Sequence, residues 1–178
     1  MKLWDKGTKT DALIETFTVG RDREFDIYLA EADILGNIAH TEMLASINLL
    51  TIDEKNKIHA ELKEIYKTVL NETFIIEDGI EDVHSQVELL LTRKLGDIGK
   101  KVHSGRSRND QVLVDMKLYM RKEQLLVLDE VKNLFNLLIS LSNKHKDEII
   151  PGYTHLQVAM PSSFGLWFGC YAESLVDD

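Results

Sequence analysis

Between Gly105 and Pro151 the chain has neither glycine nor proline, and through most of that span its apolar residues keep a helical period. Val112, Met116, Tyr119, Leu126, Leu134, Leu138 and Leu141 are among the residues that recur at the three- and four-residue spacing of one helix face. The pattern predicts one helix from Asn109 to His145, roughly 35 residues and about 50 Å long at 1.5 Å per residue, far beyond the usual globular length. A rod of that length needs partners along its whole stripe.

The rest of the chain points the same way. Two prolines and ten glycines in 178 residues leave long uninterrupted segments rich in Leu, Ile, Glu, Lys and Asp, which predicts an all-α fold. Phe25, Leu29, Ala32, Leu35, Ile38 and Ile47 predict a helix from Phe25 to Ile47. Thr51 can cap a second helix, with the stripe Ile58, Leu62, Ile65 and Val69, that ends near Asn71. Val83, Val87, Leu91 and Leu95 predict a third, closed at Gly96. The glycines at 96, 99 and 105 predict an irregular loop from Gly96 to Asn109. Pro151-Gly152 breaks the long helix, a turn follows, and Pro161-Ser162-Ser163 opens a last apolar helix within which the sequence ends, so the chain reads as cut short.

Composition excludes some functions. With 21 Lys+Arg against 30 Asp+Glu, the formal net charge of -9 argues against general affinity for nucleic acid or anionic lipid, so any bound anion must meet a local cluster. Cys170 has no second cysteine to pair with; lying among Trp167, Phe168 and Tyr171, it is expected to be a buried free thiol in a reducing compartment. No stretch approaches the roughly 20 apolar residues of a membrane span, and the first residues lack an apolar signal core. The expectation is a soluble intracellular protein.

Three polar blocks carry candidate chemistry. In Glu81-Asp82-Val83-His84-Ser85-Gln86-Val87-Glu88 the acids suit the helix dipole, and His84 lies one turn before Glu88. The residues alone favour an ordinary solvated first turn. His103-Ser104-Gly105-Arg106-Ser107-Arg108-Asn109-Asp110-Gln111 leads into the long helix, where loop amides, helix N–H groups and arginine forks make a site for carboxylates or phosphates. The bland alternative, equally weighted, makes Ser107, Asn109 and Asp110 caps and the arginines surface charge. Pro151-Gly152-Tyr153-Thr154-His155-Leu156-Gln157 sets a histidine suited to proton transfer beside a threonine that can orient it, although a lone histidine in a turn is more often a capping or packing residue.

Together the blocks resemble the argininosuccinate lyase family of the fumarase/aspartase/delta-crystallin superfamily. Ser104-Gly105-Arg106-Ser107-Arg108-Asn109-Asp110-Gln111-Val112 is similar to one family signature, and Pro151 to Gln157 followed by Met160-Pro161 to a second. Glu81-Asp82-Val83-His84 with Glu88 resembles its first histidine block, and Lys2-Leu3-Trp4 its amino-terminal start. The resemblance implies an all-helical chain, with a small amino-terminal domain over 1–101 and the beginning of a central long-helix bundle domain over 102–178. It also implies a cytoplasmic homotetramer whose active sites are each assembled from three subunits. The reaction implied is β-elimination of argininosuccinate to arginine and fumarate in arginine biosynthesis, with no metal or organic cofactor. By resemblance, His155 transfers a proton as acid or base, Thr154 and Asn109 contact substrate, Arg108 and Ser107 help to bind carboxylates, and His84 lines the site.

The chain departs from the family in two places. After Phe17 the family's Asn-Ala-Ser is replaced by Thr18-Val19-Gly20-Arg21, so Thr18 or Arg21 takes over a substrate contact or the substrate is held differently. The family's mobile Gly-Ser-Ser loop, with its catalytic serine and a lysine, does not occur before Asp178, so these residues alone are expected to be inactive. The competing readings are a superfamily lyase acting on adenylosuccinate or aspartate, and a structural protein of the crystallin kind. A nucleic-acid role for Arg106 and Arg108 is the weakest.

Overall fold

The computed structural model describes residues 12–178, so the Lys2-Leu3-Trp4 start lies outside the described residues. The chain forms two compact units, one up to Met120 and one from Arg121. The first holds helices α1 (Ala12–Thr18), α2 (Asp22–Asp26), α3 (Ala30–Ser46), α4 (Ile52–Leu70), α5 (Val83–Leu95) and α6 (Asp97–Lys100), together with the start of α7 (Arg108–Lys144). Among the described residues the fold is all-α apart from one small hairpin in the second unit.

The helix expected from Phe25 to Ile47 is present as α2, a 3₁₀ turn (Ile27–Leu29) and α3. Backbone angles at Asp26, Ile27, Leu29 and Ala30 stay in the right-handed helical region, so the path tightens there without breaking. Thr51 caps α4 through a reciprocal pair in which Glu54 N–H donates to Thr51 Oγ1 (3.2 Å) and Thr51 N–H to Glu54 Oε2 (3.0 Å). That helix ends at Asn71, as its pattern predicts. Ile58, Leu62 and Ile65 of α4 are buried with Val83, Val87 and Leu91 of α5 and Ile34 and Leu44 of α3 in one core. Each such side chain contributes about 1.5–3 kcal/mol by leaving water.

The segment expected to be an irregular loop is mostly helical. α6 and a second 3₁₀ turn (Lys101–His103) occupy its first half, leaving only a few residues before α7. Gly99 does not break structure there. A Cβ at 99 would stand 2.5 Å from both the carbonyl carbon and the oxygen of Leu91, so glycine lets α6 lie directly on the backbone of α5.

α7 is 37 residues long, as its periodicity requires. Its fully buried residues are the polar pair Gln111 and Asp115, whereas Leu113, Met120, Leu125, Leu128, Leu134 and Leu137 are exposed. Among the described residues, no helix is long and apolar enough to cross a membrane.

In the second unit, the turn expected after Pro151 is a β-hairpin, β1 (Ile149–Thr154) paired antiparallel with β2 (Gln157–Ser163). The β-branched Ile149 and Ile150 and the alternation around Tyr153 and Val158 favour extended chain, and the register slips by one residue at Gly152. The final helix, α8 (Phe164–Asp177), starts after Pro161-Ser162-Ser163, with Ser163 Oγ accepting from Leu166 N–H (3.1 Å) as its cap. Cys170 was expected to be buried and is exposed, because α8 turns it away from the face that Gly165 and Ala172 bury.

Gly99→Ala should keep the helical content while lowering stability by about 2 kcal/mol through overpacking against backbone. Circular dichroism and thermal unfolding check this; in a chain of this size the melting temperature should fall by roughly 4–8 °C.

Candidate functional site: a buried histidine between two aspartates

The amino-terminal end of α5 is built by Asp82, whose Oδ1 accepts the Ser85 N–H (2.8 Å). The helix then turns Val83, His84, Gln86 and Val87 inward. The solvated first turn that the residues alone favour is therefore overturned: His84 is 5% exposed, because it shares a face with Val87 and Leu91 of the core stripe. Its partner is not Glu88. His84 Nδ1 lies 2.5 Å from Asp33 Oδ1 of α3 and 3.5 Å from Asp115 Oδ2 of α7.

Both acids are 1% exposed, and a wider network surrounds them. Asn37 Nδ2 donates to Asp33 Oδ2 (2.8 Å), and the Arg106 guanidinium donates to Asn37 Oδ1. Gly36 of α3 lies beside Asp115, where an added Cβ would meet Oδ1 at 3.4 Å, an ordinary contact. Burial alone would lower the His84 pKa, but the bond to Asp33 and the charges of Asp33, Asp115 and Asp82 hold it above the ordinary histidine value. Burial, followed by the neighbouring Asp33, pushes the Asp115 carboxyl up to about 7 against the pull of His84 and Arg106.

Asp33, His84 and Asp115 are the donor set closest in type to a metal site among the described residues. The 2.5 Å contact, however, is a hydrogen bond's length; two ligands on one tetrahedral ion stand roughly 3.3 Å apart. A proton fits between His84 and Asp33.

The arginine loop splits its two readings. Ser107 and Asp110 cap α7 reciprocally, Ser107 N–H donating to Asp110 Oδ2 (2.7 Å) and Asp110 N–H to Ser107 Oγ (3.3 Å). The arginines are not surface charge. Arg106 belongs to the buried network, and Arg108 pairs through Nη1 with Asp82 Oδ2 (2.8 Å) and Glu81 Oε1 (3.5 Å) and donates from Nη2 to Ser85 Oγ (3.0 Å). Arg108 thus ties the start of α7 to the start of α5, beside His84. Asn109 follows it, exposed.

Thr154 and His155 belong to the second compact unit, at the tip of the hairpin. His155 (φ 50°) and Leu156 (φ 63°) form its two-residue loop with left-handed backbones at non-glycine residues. Such conformations are strained and gather where a side chain must be aimed. Leu156, 98% exposed, makes no packing contribution to offset that strain.

The first unit also holds residues that the sequence reading passed over, Asp33, Asn37 and Asp115, beside Gln111, which it named only as the end of the arginine block. The signal was present as spacing. Asp33, Asn37 and Thr41 form a polar stripe at four-residue intervals on α3, and Gln111 and Asp115 repeat that interval on α7; all five are buried. Within this cluster His84 Nε2, Arg106 Nε, Gln111 Oε1 and Asp115 Oδ2 are buried without a hydrogen-bond partner, as is Glu81 Oε2 beside Arg108. Unmatched atoms gathered in one region are met by ordered water, a ligand or a neighbouring chain.

A family model described as Lyase matches residues 5–178. The chain is 66% identical over 177 residues to the argininosuccinate lyase of Phocaeicola vulgatus and 63% identical over 177 residues to that of Parabacteroides distasonis, covering 99% of this chain and 40% of each relative. It thus spans about 40% of the length of the curated relatives it matches. Among solved structures, the fumarate lyase:delta crystallin of Brucella melitensis superposes with a TM-score of 0.73 at 19% identity, over 92% of this chain and 41% of that one. At that identity the likeness shows the fold alone.

The cluster should make stability pH-dependent in one direction. Asp115, raised on folding, contributes stability at low pH that is lost as pH rises from its ordinary 3.8 through about 7. His84, also raised, contributes below its ordinary 6.5 and loses that contribution as pH passes its folded value. Asparagine imitates the protonated carboxyl, so melting temperatures of Asp115→Asn and its parent should agree near about pH 4 and diverge, the variant higher, by about pH 8. Parallel curves would contradict the assignment.

Proposed function

The chain belongs to the lyase family, and from that premise we propose that the protein it comes from cleaves argininosuccinate to arginine and fumarate by β-elimination. The observation that carries this reading is the identity to argininosuccinate lyases along almost the whole chain. In the reaction a proton leaves the carbon beside a carboxylate, and the resulting carbanion expels the guanidino nitrogen of arginine. Two requirements follow: groups that stabilise an anionic carboxylate, and a proton-transfer pair.

His155 supplies general acid or base catalysis, and the left-handed hairpin tip that aims it supports this role. Thr154 and Asn109 contact substrate, Ser107 and Arg108 serve its carboxylates, and His84 lines the site. The unmatched polar atoms around His84 and Glu81 support a ligand in that region. The boundary between an amino-terminal domain over 1–101 and a bundle domain from 102 belongs to the same reading.

The protein acts as a cytoplasmic homotetramer. The exposed apolar stripe of α7 supports assembly, because an isolated chain leaves Leu113, Met120, Leu125 and Leu134 in water. Active sites are shared between subunits.

The test is to express the full-length protein with argininosuccinate and follow the ultraviolet absorbance of fumarate. Release of fumarate that falls about 10²–10⁴-fold in His155→Asn, with assembly retained, is expected. Fumarate from adenylosuccinate but none from argininosuccinate would overturn the substrate assignment.

A further inference from the structure

We propose that Asp33 and Asp115 are positioning residues for His84, holding its ring with Nδ1–H directed at Asp33 so that Nε2 is the ring atom left to meet the substrate. This rests on the reading of His84 as a residue of the substrate site. Three helices contribute one residue each, Asp33 from α3, His84 from α5 and Asp115 from α7, and each of these residues is buried.

At 2.5 Å the contact between Nδ1 and Asp33 Oδ1 is a charge-assisted hydrogen bond with the ring donating, which sets both tautomer and orientation. Asp115 Oδ2, at 3.5 Å, is too far to share that proton and acts through its charge. Asp33 is itself braced by Asn37, and Asn37 by Arg106. The charged groups facing this set are Asp26, Asp33, Asp82 and Asp115 around the histidine and Arg106 beside the two acids.

Nε2 is the telling atom. It is buried and has no partner, while Nδ1 of the same ring is held by Asp33. An unmatched buried nitrogen costs about 1–3 kcal/mol, a penalty that a carboxylate oxygen accepting from Nε2–H would remove. The two acids favour the imidazolium, the form in which both ring nitrogens donate. The ring therefore suits a negatively charged substrate oxygen.

The experiment uses the full-length protein with Asp115→Asn and Asp33→Asn. The alkaline limb of kcat/KM against pH should move to lower pH by roughly one unit in Asp115→Asn and further in Asp33→Asn, with KM rising more than kcat falls. Should Asp33→Asn fail to fold, Asp115→Asn alone carries this arm. Limbs unmoved in folded variants, with only the melting temperature changed, would mean that the acids are structural and would overturn the proposal.

A second readout needs no turnover. In protein labelled at histidine Cε1, the NMR signal that vanishes in His84→Gln should titrate above the ordinary histidine range and drop toward it in the asparagine variants. A His84 signal that titrates in the ordinary range and ignores both substitutions would also overturn the proposal. If the signal behaves as expected but argininosuccinate yields no fumarate, the clamp stands and the substrate reading falls.

Discussion

The first unit is organised around a hydrogen bond between two groups that water would otherwise solvate, His84 and Asp33. Because both are buried, neither can be given up cheaply: removing one strands the other in a low-dielectric interior at a cost of several kcal/mol. The bond therefore specifies how α3 and α5 meet, and Asp115 and Arg106 bring α7 and the loop before it to the same point. Apolar contacts such as Ile34 and Leu62 supply most of the burial energy, yet they would tolerate small slides of one helix over another. A charged network does not.

That network also explains why the arginine loop is where it is. Arg106 is drawn inward to balance two buried acids, while the next arginine, Arg108, reaches the acids at the start of α5. Two consecutive motifs in the sequence thus become neighbours in space, with His84 buried and Asn109 exposed. Of the glycines that made the region look like a loop, Gly99 instead admits close backbone packing of α6 on α5.

Much of this was legible in order of residues. The capping box at Thr51, the buried stripe of α5 and the full length of α7 follow from local rules, since each depends on spacing within one helix. The hairpin after Pro151 was harder. It is short, its polar and aromatic residues suit a turn as well as a strand, and its left-handed tip is made by His155 and Leu156 without glycine to announce it. Cys170 was misjudged because flanking aromatic residues signal burial only when some face of the molecule covers them.

The candidate site shows where the division falls. Helix content, the caps, the rod and the polar strings around His84, Arg108 and His155 were determined by the sequence by itself, because periodicity and side-chain chemistry act within a few residues. That His84 is an interior group, paired across 51 positions with Asp33 and within reach of Asp115, was decided only by the tertiary structure. Four-residue spacing groups Asp33 with Asn37 and Asp115 with Gln111 but does not say whether that face is covered; burial and the low dielectric that perturbs Asp115 arise when three helices close over the same point.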